Sequence, residues 1–220
     1  MSEPARPVDG RRERWNDHRV RRRAVLVDAG VAAIDRYGAD SSAEEIAATA
    51  RVSRTVLYRY FRDKEDLCGA VSRRIGEIVI AELQSPLRFG TTANEIIGGT
   101  LEALTDWVEA HPRQYEFLRR RGTALGDVEA TIADQLAALL REVTVAFGLP
   151  TRLAEPTAQS LVGMVEHTLA WWMKFRAISR RDLVEHLRNA IWDVIDGELR
   201  RANIALGLDD PLPSVTTGHR

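Results

Sequence analysis

Large apolar residues recur at intervals of three and four along this chain from Val25 to Leu199, and no stretch alternates apolar with polar residues for long enough to make a strand. The pattern confines the chain to an all-α fold with essentially no sheet. Near the N-terminus the spacing predicts a first helix through Val25, Leu26, Ala29, Ala32, Ala33 and Tyr37, closed by Gly38. Ser42-Ala43-Glu44-Glu45 then reads as a capping box, the Ser hydroxyl and the Glu carboxylate satisfying free amides at the start of a second helix that runs to about Ala50. Arg51-Val52-Ser53 is too short for anything but a tight turn, and helical spacing resumes over Arg54–Phe61.

Beyond this head the same reasoning predicts a helix from Lys64 to about Leu83 ended by Pro86, and another from Thr92 to Ala110 closed by Pro112. A short helix with Tyr115, Phe117 and Leu118 follows, then a long one N-capped by Asp127 and stopped by Gly148 and Pro150. The last two helices fall at about 156–177 and 180–204, which makes about nine in all. At 220 residues, with 45% hydrophobic and 29% charged residues, the chain holds a packed core and divides into a small head and a larger body. The expected division is a basic disordered arm over residues 1–20, a head over 21–67, a helical body over 68–205 and a loose tail over 206–220.

A net charge of −1 hides an asymmetry: residues 1–64 carry 14 Lys and Arg against 10 Asp and Glu, so the head is basic and the body acidic. Eight arginines fall between Arg6 and Arg23, a cluster suited to a polyanion, either as an arm on DNA or as a solvated tail. Two short helices separated by three residues have the helix-turn-helix spacing, whose second helix enters the DNA major groove. The stretch from Glu45 to Leu67, and above all Leu57-Tyr58, Tyr60-Phe61, Lys64 and Leu67, resembles the signature of the TetR family of transcriptional regulators. Small Ala47 and Ala50 allow close helix contact there, and Val52 and Leu57 fill the corner. The resemblance implies that Arg54, Thr55 and Tyr58 read bases, and that Ser53, Arg59, Tyr60 and Lys64 hold phosphates. An Arg in the groove can donate two hydrogen bonds to guanine, whereas phosphate contacts add affinity that falls with salt. Two departures stand out: Arg51 takes a turn position where many members have Gly, so its side chain would sit at positive φ, and Val56 replaces a small or hydroxyl residue.

One such module buries too little surface for tight specific binding, which predicts a homodimer. The apolar faces of the last two helices exceed what one core needs, and the resemblance implies a four-helix seam between copies; Leu161, Val165, Trp172, Leu187, Ile191 and Val194 are the expected contacts. The resemblance also implies a small-molecule effector held among the body helices, with Trp107, Tyr115, Phe117, Met164, His167 and Trp171 as lining. Trp107, His111, Pro112 and Tyr115, with Leu161-Val162-Gly163-Met164, resemble members answering to fatty acyl-CoA. The reading is therefore a regulator of double-stranded operator DNA, a repressor released by its ligand; the alternatives are an activator of the same fold and a helical adaptor without DNA binding. His18, His111, His167, His186 and His219 form no HExxH pair, and neither a Gly-rich phosphate loop nor a nucleophile motif occurs, so no enzyme, cofactor or metal is expected. Cys68 stands alone, and no run of about 18 uncharged apolar residues or secretory signal occurs, so the expected location is the cytoplasm with no membrane partner.

Overall fold

The computed structural model describes residues 10–89 and 91–212, and among them the order is all helical: α1 (Gly10–Tyr37), α2 (Ala43–Thr49), α3 (Arg54–Leu57), α4 (Lys64–Phe89), α5 (Ala93–Ala110), α6 (Pro112–Arg120), α7 (Thr123–Ala146), α8 (Ala154–Phe175) and α9 (Arg180–Arg201). The only extended pairing among them is a single bridge between Thr92 and Pro211. No described helix is long and apolar enough to cross a membrane.

Of the described residues, those up to Ile75 together with Arg113–Arg121 form one compact unit. Its core takes Leu26, Ala33, Ile34, Ile46, Leu57, Phe61, Leu67 and Val71, all buried, whereas Val25, Ala32 and Tyr37 of the expected α1 stripe are exposed, because the inner face of α1 runs through Leu26, Val27, Val31 and Ile34. Gly38, at φ 103°, ends α1, its amide donating to the Ile34 carbonyl at 2.8 Å. The capping box at α2 is present as read: the Ser42 hydroxyl accepts from the Glu45 amide at 3.2 Å, and the Glu45 carboxylate accepts from the Ser42 amide at 2.7 Å. The bond from the Ser42 amide, and after it a second from the Ser42 hydroxyl, which donates to the same carboxylate at 2.9 Å, hold the Glu45 carboxyl below the usual glutamate range. The unit also recruits α6, which grips α1 through polar contacts. Arg113 donates to the Asp35 and Arg36 carbonyls, and Gln114 donates to both Asp35 carboxylate oxygens at 2.8 and 2.9 Å. Arg120 pairs with Asp40, and Arg121 with Glu65 at 3.2 Å.

The second unit holds Gly76–Pro112 and the described residues from Gly122 onward. Here α7 and α8 form a helical hairpin, and α9 lies on α5. Gly148, at φ 68°, closes α7 with the paired bonds of a Schellman turn: Leu149 to the Thr144 carbonyl at 2.8 Å and Gly148 to the Val145 carbonyl at 2.9 Å. Arg180 at the start of α9 reaches Asp106 at 2.6 Å and the Thr105 hydroxyl at 3.1 Å, fixing α9 against α5.

Several boundaries differ from the sequence reading, each for a local reason. The arm expected over 1–20 is part of α1 from Gly10 onward, and its first nine residues lie outside the described residues. Helix α4 runs through Pro86 to Phe89, giving up the bond that a proline nitrogen cannot make instead of ending there. Asp127 is not a cap, because α7 begins a turn earlier and its Gly126 amide already donates to the Gly122 carbonyl at 2.9 Å. The tail expected to be loose is tied down as far as Leu212: Asn94 donates from its amide to the Leu208 carbonyl and Leu212 to the Thr91 carbonyl, both at 2.9 Å. Residues 213–220 lie outside the described residues.

Candidate nucleic-acid interface

The turn between α2 and α3 is a Schellman motif with an arginine where glycine is usual. Val52 donates to the Ala47 carbonyl at 2.9 Å, Arg51 donates to the Ala48 carbonyl at 3.0 Å, and Arg51 has φ 55°, the positive value that the sequence demanded. The motif points the chain into Ser53, whose hydroxyl accepts from the Val56 amide at 3.3 Å and so caps α3. Helix α3 is shorter than Arg54–Phe61. After Leu57 the bonds tighten to i→i+3, from Arg59 to Val56 at 3.2 Å and from Tyr60 to Leu57 at 3.0 Å. Buried Leu57 and Phe61 hold this segment down from inside.

Its outer side carries the seven residues expected at DNA. Ser53, Arg54, Thr55, Arg59 and Lys64 are exposed, whereas Tyr58 and Tyr60 are half-buried. Arg59 and Lys64 have no acidic partner within the described unit, so their charge is free for a polyanion. Lys64 opens α4, whose end is arranged by two carboxylates: Asp63 accepts from the Asp66 amide at 2.7 Å, and Asp66 accepts from the Arg62 amide at 3.0 Å. The bond from Arg62, joined by the charges of Arg23 and Arg62, holds the Asp66 carboxyl below its ordinary range against the opposing pull of burial. Arg23 completes the corner, 3.2 Å from Asp66 and with its guanidinium 4.7 Å from the centre of the Phe61 ring.

One residue at this surface escaped the sequence reading. Glu44, in the first turn of α2, forms an ion pair with Arg54, whose guanidinium also lies 5.5 Å from the centre of the Tyr58 ring. No local pattern marks Glu44, because its contact spans a turn and ten residues.

The residues expected to line a ligand site divide between the two units. Tyr115 and Phe117 are buried in the first unit, while Trp107, Met164, His167 and Trp171 belong to the second. Trp107 is buried and stacks on His111 with ring centres 5.5 Å apart. His167 is a surface residue, its side chain 90% exposed and 3.1 Å from Glu166, and Trp171 is 42% exposed. A cavity of about 220 Å³ does open in the second unit, walled largely by Leu140, Val143, Leu149, Leu153, Ile195 and Leu199, and none of the six residues lines it. The expected dimer contacts differ in how far they are open to a partner. Leu161, Trp172, Leu187 and Ile191 are buried inside their own chain, where they join the body core; Val165 is half-buried and Val194 is 41% exposed. The outward apolar residues of this region are Trp171, Phe175, Ile178 and Val194. Helical spacing finds both faces of such a helix and does not tell the inner from the outer.

Comparison with known proteins agrees with this geometry. Residues 26–71 match the model of bacterial regulatory proteins of the tetR family, and residues 93–194 match a tetracyclin repressor-like C-terminal domain. An HTH-type transcriptional regulator of Mycobacterium tuberculosis is 35% identical over 86% of this chain and 84% of its own length. The HTH-type transcriptional activator FasR of Mycolicibacterium smegmatis is 26% identical over 85% of this chain and 89% of its own. A tetR-family transcriptional regulator from Streptomyces coelicolor shares the fold with a TM-score of 0.67 at 21% identity, covering 81% of this chain and 84% of that one.

Proposed function

This chain belongs to the TetR family of bacterial regulatory proteins and is a helix-turn-helix transcriptional regulator, and from there we propose that it is a repressor that binds operator DNA as a homodimer and lets go when a small molecule occupies its body. The observation that carries the DNA reading is the outer side of α3. A capped and tightly turned segment carries exposed Arg54 and Thr55 and half-buried Tyr58, with Arg59 and Lys64, which have no acidic partner among the described residues, beside them. In this reading the first group enters the major groove and the second, with Ser53 and Tyr60, holds phosphates.

The dimer is supported by the exposed apolar residues Trp171 and Phe175 on α8, Ile178 in the turn after it and Val194 on α9, too many large side chains to leave facing water at this end of a body. The effector reading is supported by the aliphatic cavity between α7, α8 and α9, whose size and lining suit a small apolar molecule. Such a molecule releases DNA only to the extent that it binds the DNA-incompetent arrangement more tightly than the competent one.

A shift assay with the DNA flanking the chain's own gene tests the reading. Binding should weaken by about a thousandfold or more between roughly 50 and 200 mM salt if six or more phosphates are neutralised. A flat salt response removes the DNA reading. The sign of regulation has a second reading, since the relative FasR is named an activator. Deleting the gene separates the two: flanking transcripts rise on loss of a repressor and fall on loss of an activator.

A further inference from the structure

Glu44 lies at the same surface as the expected DNA contacts, yet its negative charge should repel a duplex. We infer that Glu44 is a positioning residue for base recognition, holding the guanidinium of Arg54 in the orientation that reads a guanine. The inference rests on the DNA-binding reading given above.

Three observations place Arg54 under constraint before any DNA arrives. It is the first residue of α3, just after the Ser53 cap, so its backbone is fixed by the hydroxyl that accepts from Val56. Its guanidinium is ion-paired with the Glu44 carboxylate through Nη1. The same group lies 5.5 Å from the centre of the Tyr58 ring. A carboxylate on one edge and an aromatic face beside it leave a planar cation few orientations, and the donors not used by Glu44 remain available. Arginine presents five N–H donors, so one shared with Glu44 leaves enough for the O6 and N7 acceptors of guanine.

Glu44 is itself well fixed. It sits in the first turn of α2, where the helix end favours a carboxylate, and the Ser42–Glu45 box sets the position of that turn. The box uses Glu45 and leaves Glu44 free for Arg54. Both partners of the pair are well exposed, with 60% of the Arg54 side chain and 59% of the Glu44 side chain open to solvent, so the pair adds little to folding. Its consequence lies in binding, where an unconstrained arginine must be ordered at the moment of contact.

The test uses the full-length protein and a random DNA pool, from which wild type, E44Q, E44A and R54A each select bound sequences, followed by affinity measurements on the selected site and its single-base variants. Wild type should enrich a motif in which one guanine is lost with R54A. E44Q and E44A should keep the rest of the motif while preference for that guanine falls by about tenfold, with nonspecific affinity equal or slightly tighter because a negative charge has gone. If both Glu44 variants keep the full preference for that guanine, or bind every sequence more tightly by one common factor, Glu44 is only a counter-charge and the inference fails. A wild-type protein that enriches no motif fails the DNA reading instead, which separates the two outcomes. Unchanged far-ultraviolet circular dichroism of E44Q shows that α2 remains folded.

Discussion

Gly30 in α1 sits so close to Val71 in α4 that a β-carbon added there would lie 2.5 Å from the Val71 Cγ2 atom, a separation that real contacts do not show. Val71 is 1% exposed and β-branched, so it has neither room nor a spare rotamer to yield. Gly30→Ala therefore sets two opposing effects against each other: a gain of about 1 kcal/mol in helix propensity, and an overpacking loss of roughly 1–3 kcal/mol. The net expectation is a loss of about 1 kcal/mol. Val71→Ala alone removes two buried methyl groups and costs about 2 kcal/mol. In that background the clash is gone, and Gly30→Ala should instead stabilise by about 1 kcal/mol, a coupling of about 2 kcal/mol between the sites. Urea unfolding of the four proteins, followed by circular dichroism, measures it; with a slope of about 2 kcal/mol/M the single Gly30→Ala change lowers the midpoint by roughly 0.5 M. Additivity of the two changes to within about 0.5 kcal/mol, or a Gly30→Ala protein more stable than wild type, refutes the claim that direct packing of α1 on α4 requires glycine there.

Other expectations follow from the turn, the cap and the charges. Arg51→Gly should stabilise by about 0.5–1 kcal/mol, because glycine fits the positive φ of the Schellman turn without a Cβ clash, whereas Arg51→Ala should not; thermal melts compare the three. Ser42→Ala should cost about 1 kcal/mol by uncapping α2, read as a lower urea midpoint. The Glu45 carboxyl is held below its ordinary value in the folded chain, so its contribution is fully present above the ordinary glutamate range and is lost as acid takes the pH down through the lower folded value. Wild type should accordingly lose its stability advantage over E45Q on acidification, and a gap constant with pH contradicts the assignment. Lys64→Ala should weaken binding about equally on all DNA sequences and reduce the salt slope by about 1, measured by titration at several salt concentrations.

What the sequence made legible was whatever a local rule decides. The capping box at Ser42 and Glu45, the helix stop at Gly38 and the positive φ of Arg51 each depend on a few neighbouring residues, and each stands in the structure as its neighbours require. The exposed side of α3 was legible for the same reason, because Leu57 and Phe61 fix which way the segment faces. The length of α3 was not: its last bonds change to the tighter i→i+3 pattern, and the apolar spacing looks the same in either form. Nor did Pro86 end α4, since a proline inside a helix costs a bond without forbidding the next turn.

The larger misses concern partners distant in the chain, and α6 shows why. Tyr115 and Phe117 lie on a short helix flanked on both sides by body helices, so contiguity places them in the body. The chain instead returns at Arg113 to the unit it left after Ile75. The side chains responsible are polar and far apart in sequence: Arg113 on the last carbonyls of α1, Gln114 on the Asp35 carboxylate, Arg120 on Asp40 and Arg121 on Glu65. Read locally, Arg119-Arg120-Arg121 is a run of like charge that belongs in water. Arg120 and Arg121 nonetheless have carboxylate partners 80 and 56 residues away, and Gln114 is 3% exposed with both amide hydrogens directed at one carboxylate. Hydrophobic periodicity records that a face is buried and carries no address for what buries it. The address here is written in hydrogen-bond pairing, which a single sequence does not display, and Glu44 with Arg54 is the same case at the surface that matters for DNA.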